Sequence, residues 1–179
     1  YSFDGTQSIG QSGVHTRQGV GLKVVLSEAE MHLAEFMAHA RTNRSRRDGV
    51  ANQRISEESD FDVEFIGMCG ELAVAKALNV YPDLSIASRS GGFDLTSPRG
   101  KRLEVKTTKH HNGRLVARLK AKVEDSDFYV LVTGTPPNMT IRGYISTQEF
   151  LSEVNIGKLS SKYPEAYIRP QRGLKPWKR

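Results

Sequence analysis

Three carboxylates and one lysine are the residues of this chain best suited to chemistry. Glu71 lies in an apolar stretch with helical spacing, Asp94 follows a Gly-Gly-Phe sequence, and Glu104 and Lys106 stand one residue apart in a short β-like run. Alternate side chains of a strand share one face, so Glu104 and Lys106 are expected to project together. Carboxylate oxygens suit Mg²⁺, which takes one or two carboxylates and keeps several waters. A lysine beside such a site could orient or deprotonate a water.

Two helices are predicted in the first half of the chain. Ser27 with Glu30 three positions on is a capping box, and the apolar residues that follow predict a helix to about Arg47. A second helix is predicted from near Asp60 to near Asn79, and it carries the first of the three carboxylates. The polar stretch between the two helices is predicted to be a loop.

Short strands are predicted in the second half and must position the remaining site residues. Asn112-Gly113 is a strong hairpin signal and predicts that the chain turns back there. Ser146 with Glu149 is a second capping box, which predicts a new helix. The predicted strands are Phe93 to Thr96, Arg102 to Thr108, Leu115 to Leu119, Phe128 to Thr133, and Thr140 to Ile145. Together with the helices they predict an α/β fold in which a mixed central β-sheet is flanked by α-helices.

The order of these parts resembles the PD-(D/E)XK superfamily, the restriction-endonuclease-like nucleases. The resemblance runs from about Asp62 to Phe150, and Phe93 stands where the family's name-giving motif has proline, a variation that the superfamily often shows. The residues that carry it are Gly67 to Ala73, Phe93-Asp94-Leu95, Leu103 to Thr108, Phe128 to Val132, and Gly143-Tyr144-Ile145.

The resemblance implies a restriction-endonuclease-like core and metal-assisted phosphodiester hydrolysis. Asp94, Glu104 and the backbone carbonyl of Val105 would hold the principal Mg²⁺, for which Mn²⁺ is expected to substitute, and Glu71 would bind it through water or help a second ion. Lys106 would position the attacking water and stabilise developing charge. Thr108, on the same strand face, would support the ligands by a hydrogen bond. Nothing resembles a nucleotide-binding loop, so no nucleotide cofactor is implied.

Positive charge is concentrated at the end of the chain. From Gly157 to Arg179 there are seven basic residues and one acidic residue, so this segment alone accounts for the whole chain's formal net charge of +6. Its basic residues alternate with aromatic ones, a pattern that can neutralise phosphates and stack on bases. A solvated terminal tail is the alternative. The residues predicted to contact DNA are Arg41, Arg44, Arg46, Arg47, Lys109, His110, His111, Arg169, Arg172 and Lys175.

The arginines of the first predicted helix and the group from Lys109 to His111 also have simpler explanations than DNA binding. The four arginines of the first helix would also complement the negative end of the helix dipole, and we weigh the two explanations equally. The Lys109 to His111 group would otherwise be exposed turn residues.

Composition bounds the class of protein. The chain of 179 residues has room for one domain with extensions: an N-terminal arm over 1–21, the nuclease domain over 22–156, and a basic aromatic extension over 157–179. Its single cysteine, Cys69, excludes an internal disulfide and is expected to be buried. No apolar run is long enough to cross a bilayer and no signal-peptide pattern begins the sequence, which predicts a cytoplasmic protein, in the host cytoplasm if phage-encoded.

The sequence therefore predicts a metal-dependent DNA endonuclease of the homing, junction-resolving or phage type. An exonuclease or repair nuclease with the same site is one alternative, and a catalytically inactive DNA-binding protein on a nuclease scaffold is another. Double-strand cutting or junction resolution would favour a homodimer or homotetramer that supplies two sites. DNA is the substrate that the resemblance implies, and the chemistry of the site by itself leaves RNA open.

Overall fold

The computed structural model describes residues 21–49, 59–86 and 92–177. The predicted N-terminal arm and the predicted loop between the first two helices therefore lie almost wholly outside the described residues. The elements in chain order are β1 (Leu22–Val25), α1 (Glu28–Arg47), α2 (Asp60–Leu78), β2 (Leu95–Thr96), β3 (Arg102–Thr108), β4 (Leu115–Arg118), β5 (Phe128–Thr135), β6 (Asn138–Ser146), α3 (Thr147–Phe150), β7 (Ile156–Gly157) and β8 (Ala166–Arg169).

Both long helices begin and end close to where the sequence predicts. The Ser27 side chain accepts a hydrogen bond from the Glu30 amide while the Glu30 carboxylate accepts one from the Ser27 amide, so the capping box is present. Helix α2 ends at Leu78 and is capped by Asn79, which adopts the left-handed conformation that asparagine tolerates well. The start of α3 at Ser146 is also confirmed, although α3 is only one turn long.

Five strands form a mixed sheet in the order β1-β6-β5-β3-β2. Strands β3 and β5 are parallel and the other neighbours are antiparallel. Strand β5 is buried on both faces along most of its length, as its apolar sequence predicts. Strand β1 was not predicted. It pairs with β6, which is distant in sequence, and forms one edge of the sheet.

The two faces of the sheet are covered differently. Helices α1 and α2 pack on the face that carries Val105, Val130 and Ile141, and among the strands α2 contacts β3 most extensively. Leu131 and Ile145 point to the opposite face, where they pack with Leu115 of β4 and with Phe150 of α3. The mixed α/β class is confirmed, but long helices flank one face only, because a small second sheet and the single turn of α3 cover the other.

The hairpin prediction at Asn112-Gly113 is wrong. The chain does turn there, since the Gly113 amide donates to the His110 carbonyl at 2.9 Å, but β4 does not return along β3. It pairs with β8 instead, in a second sheet of order β4-β8-β7. The physical reason is burial: pairing with β8 places Leu115 and Ala117 in the core on the second face of the large sheet.

The basic segment after Gly157 is part of the fold as far as the structure describes it. Strand β8 is the central strand of the second sheet. Farther along, Lys175 and Tyr144 exchange two backbone hydrogen bonds of 2.8 and 3.0 Å, and Trp177 packs edge-to-face on the Tyr144 ring. A solvated tail is therefore the wrong description of residues 157–177.

Two predictions from composition can be compared with the structure. Cys69 is buried, as expected, and burial raises the pKa of its thiol to about 12. Within the described ranges, no helix combines the length and the apolar character needed to span a membrane.

Candidate active site

The β2–β3 hairpin brings Asp94 next to Glu104, as the sequence predicts. Leu95 pairs with Leu103 in antiparallel register, and the Asp94 amide donates to the Leu103 carbonyl at 2.8 Å. The Asp94 carboxylate then accepts a hydrogen bond of 2.7 Å from the Val105 amide. This bond orients the Asp94 side chain along the strand that carries the other two residues.

Glu104 and Lys106 project from the same face of β3, where Lys106 Nζ lies 2.5 Å from Glu104 Oε1. The Glu104 side chain is 16% exposed and that of Lys106 is 38% exposed, so the pair lies at a partly open edge of the core. Ligand or solvent can therefore reach the lysine more easily than the carboxylate.

Burial dominates the electrostatics of this pair. Burial, with smaller contributions from the negative charges of Asp94 and Glu71, raises the pKa of Glu104 to about 7 against the opposing effect of Lys106. For Lys106, burial lowers the pKa, but Glu104 and Asp94 more than compensate, so its net shift is upward. The site thus holds more negative charge than its own lysine neutralises.

Helix α2 positions Glu71 by packing tightly on β3. A Cβ atom on Gly70 would lie 1.9 Å from Thr107 Oγ1, so only glycine allows this close approach. Glu71 is buried, and its charge is close enough to Glu104 to contribute to the raised pKa there. The structure therefore brings Asp94, Glu104 and Lys106 together, whereas Glu71 lies on the helix that packs on the Val105 face of β3 and contributes only its charge.

Arg41 reaches Glu71 from helix α1. Arg41 Nη1 lies 3.1 and 3.3 Å from the two carboxylate oxygens, and Nη2 also donates to the Asp83 carbonyl at 3.1 Å. The two side chains are only 12% and 9% exposed. Arg41 was predicted to contact the DNA backbone, but the structure places it inside the fold as the partner of a predicted catalytic residue.

The other three arginines of α1 have different surroundings. Arg44 forms an exposed ion pair with Asp48 at 2.8 Å, one turn along the helix. Arg46 and Arg47 are exposed in the last turn, where they complement the helix dipole. Their place in the last turn fits the helix-dipole explanation, and contact of Arg46 and Arg47 with DNA stays a prediction.

The turn after β3 is held by contacts that the sequence did not predict. The Thr108 hydroxyl accepts a hydrogen bond of 3.3 Å from the His110 amide, so its observed bond supports the turn and not a site carboxylate. His111 lies 2.6 Å from Arg142 Nη2, and Arg142 also donates to Thr133 Oγ1 at 2.7 Å. Lys109, His110 and His111 are exposed on this turn.

Of the three predicted DNA-binding residues near the C-terminus, one is held by contacts within the fold and two are exposed. Arg169 supports the fold, because it donates to Gly173 and Asn155 and pairs with Glu149 at 3.4 Å. Arg172 and Lys175 are exposed.

Two residues near the site were missed by sequence reasoning. Tyr129 lies beside Glu104 in the parallel register of β3 and β5; burial and the charges of Glu104, Asp125 and Asp94 raise the pKa of its phenol. Arg118, at the end of β4, is close enough for its charge to lower the pKa of Lys106. Tyr129 was missed because it lies within the apolar sequence of β5, which predicts only a buried strand. Arg118 was missed because its position depends on the pairing of β4 with β8, which was not predicted.

The donor set fits a magnesium ion bound by few protein ligands. Among the residues that the structure describes, no three His, Cys, Asp or Glu side chains are grouped closely enough to hold a metal ion. Two carboxylates are sufficient for Mg²⁺, however, because it retains several waters. Asp94 and Glu104 are both oxygen donors, and a cation between them would offset the charge repulsion that adds to the effect of burial on the pKa of Glu104.

We predict that Arg41 stabilises the fold through Glu71. Replacing Arg41 with Ala removes the bidentate partner of a buried carboxylate, which should lower the free energy of unfolding by about 3 kcal/mol. For a domain of this size, that corresponds to a drop of roughly 6–12 °C in melting temperature. Urea unfolding and thermal melting measure the two quantities.

The double variant Arg41→Met with Glu71→Leu is the matched control. It removes both charges, so it should be less destabilised than Arg41→Ala. A loss below about 1 kcal/mol in Arg41→Ala would show that the pair contributes no more than an exposed ion pair.

Comparison with known proteins places the chain in a family. No curated protein sequence matches it. Residues 16–151 match a family described as a family of unknown function, DUF5843, and this range includes Glu71, Asp94, Glu104 and Lys106. Because the match covers most of the chain, the protein belongs to this family.

Proposed function

We propose that this protein is a metal-dependent DNA endonuclease with a restriction-endonuclease-like core. The observation that carries the proposal is the convergence of Asp94, Glu104 and Lys106 on the β2–β3 hairpin, with the charge of Glu71 close by. The arrangement combines acidic oxygen donors with a cation at a partly exposed edge, a set suited to metal-assisted phosphodiester hydrolysis.

Asp94 and Glu104, with the backbone carbonyl of Val105, would hold Mg²⁺ or Mn²⁺. When bound, the ion would supply Lewis-acid polarisation of the phosphate and a bound water of lowered pKa. Glu71 already has a bidentate partner in Arg41, so its contribution is best explained as a negative charge near the ion, or as a contact through water.

The chain's own residues have separable roles. The Val105 amide orients the Asp94 carboxylate. Lys106 Nζ, held beside Glu104 Oε1, can donate hydrogen bonds to the attacking water and to a phosphate oxygen, so it positions the one and stabilises charge on the other. Arg41 acts through Glu71 and is therefore a positioning residue.

DNA is the proposed partner, and a dimer or tetramer is proposed for any activity that cuts both strands. Exposed cations suitable for the phosphate backbone include Arg46 and Arg47 at the end of α1 and Lys109 on the turn after β3. An exonuclease or repair nuclease would use the same catalytic residues. It would differ from an endonuclease in acting at the ends of the DNA.

A second candidate function is DNA binding without catalysis. It is favoured by one observation: Glu104 and Glu71 are each paired with a cation, and no three metal-ligating side chains are grouped in the described part of the chain. A scaffold that had replaced metal ions by internal ion pairs would show this pattern.

Cleavage of a DNA panel separates these functions. The purified protein is incubated with covalently closed circular, linear, branched and single-stranded DNA, with Mg²⁺, with Mn²⁺ and with EDTA. An endonuclease cuts the closed circles in the presence of metal only, whereas an exonuclease needs free ends. If no substrate is cut with either metal while DNA is bound, the catalytic proposal fails and the second candidate is supported.

A further inference from the structure

A shallow groove of about 470 Å³ lies on the second sheet and shares no lining residue with the candidate active site. It is formed between the segment around β7 and the residues that precede β4 and follow β8. Three cations line it: Arg114, Lys158 and Arg172. Apolar side chains, among them Ile156 and Ile168, lie between them.

The positive charge of this groove is not compensated locally. All three cations are exposed, and within the described residues none forms an ion pair with a carboxylate. No acidic residue lines the groove, although Glu153 is its near neighbour in the chain. By contrast, the nearby Arg169 is paired with Glu149, so this region does contain a cation that is neutralised by the fold. Like charges that share a concave surface favour an anionic ligand.

We propose that this groove binds the phosphate backbone of a nucleic acid. Three cations spread over one groove suit a polyanion better than a single small anion. Two of them are guanidiniums, whose planar donor pairs match phosphate oxygens. The apolar side chains between the cations suit the sugars that separate successive phosphates. An acidic peptide could use the same charges but would gain less from those apolar contacts.

Strand β4 connects the groove to the candidate active site. Arg114 immediately precedes β4, and Arg118 at its other end lies close enough to Lys106 to affect its pKa. Four residues of strand span roughly 13 Å at about 3.3 Å per residue. That distance equals about four nucleotide steps along a duplex at about 3.4 Å per step on each strand. This placement relative to a scissile phosphate rests on the proposed function, whereas binding in the groove does not.

The test compares two triple variants of the full-length protein that lose the same charge. The groove variant carries Arg114→Gln, Lys158→Gln and Arg172→Gln. The control variant carries Lys23→Gln, Lys101→Gln and Lys120→Gln, three exposed lysines that do not line the groove. Fluorescence anisotropy with labelled 20-nucleotide single-stranded and duplex DNA is measured in EDTA over a range of salt concentrations, so the result does not depend on cleavage.

We expect the groove variant to bind duplex DNA at least tenfold more weakly than the wild type. Its slope of log affinity against log salt should be flatter by about 0.9 for each lost phosphate contact. The control variant should retain the wild-type slope. If the groove variant has a lowered melting temperature, the single variant Lys158→Gln is used instead, and its slope should be flatter by about 0.9.

Two results would overturn the proposal. The first is equal weakening in both triple variants, or weakening in neither, because the groove would then contribute only net charge or nothing. The second would come from the same assay with labelled poly-glutamate: retained DNA binding with loss of poly-glutamate binding in the groove variant alone would identify an acidic protein partner. Loss of DNA binding in a protein that never cleaves DNA would support the groove and refute only the proposed nuclease function.

Discussion

Asp94→Asn, Glu104→Gln and Lys106→Ala are each expected to reduce cleavage of closed circular DNA by about two to three orders of magnitude. The two carboxylate variants lose a proposed metal ligand. Lys106→Ala loses the cation proposed to position water and to stabilise charge on the phosphate. Initial rates with saturating Mg²⁺ measure the effect, and DNA binding in EDTA should stay within a few-fold of the wild type.

The carboxylate variants should remain folded. Glu104→Gln removes a charge whose ionisation is opposed by burial and by two neighbouring carboxylates, so its melting temperature should not fall. Glu71→Gln should have a milder effect on cleavage, because Arg41 already pairs with this carboxylate. Near-wild-type cleavage by Asp94→Asn at excess Mg²⁺ would rule out the proposed mechanism.

Truncation after Gly157 is expected to abolish cooperative folding. It removes β8 from the centre of the second sheet and leaves Leu115 and Ala117 of β4 without the layer that covers them. Tyr167, Leu174 and Trp177, each packed on a core cluster, are lost as well. Burial of one large apolar side chain contributes about 1.5–3 kcal/mol, so the total loss is comparable to the whole stability of a typical domain.

Circular dichroism and thermal melting test this prediction. Deletion of Lys178 and Arg179 alone is the matched control, since it removes two of the terminal charges and leaves β8 and Trp177 in place. This short deletion should melt within about 1–2 °C of the wild type, because it leaves every described strand and core contact in place. A cooperative melt of the long truncation near the wild-type temperature would show that the segment adds nothing to stability.

The features predicted well from the sequence are those that depend on near neighbours in the chain. A capping box needs only Ser27 and Glu30, and the two-residue period of a strand is sufficient to place Glu104 and Lys106 on one face. The β2–β3 hairpin spans few residues, so the approach of Asp94 to Glu104 could also be predicted. In these cases local hydrogen bonds and backbone geometry decide the structure.

Tertiary structure decided the features that join distant segments. For Arg41, the arginine-rich end of the helix predicts either a DNA-backbone patch or a complement to the helix dipole, yet the packing of α1 on α2 places it against Glu71, 30 residues away. Likewise, the Asn112-Gly113 signal predicts a turn but cannot specify which strand β4 will pair with. Such pairings depend on how much apolar surface each one buries, a quantity that belongs to the whole chain and not to any local pattern.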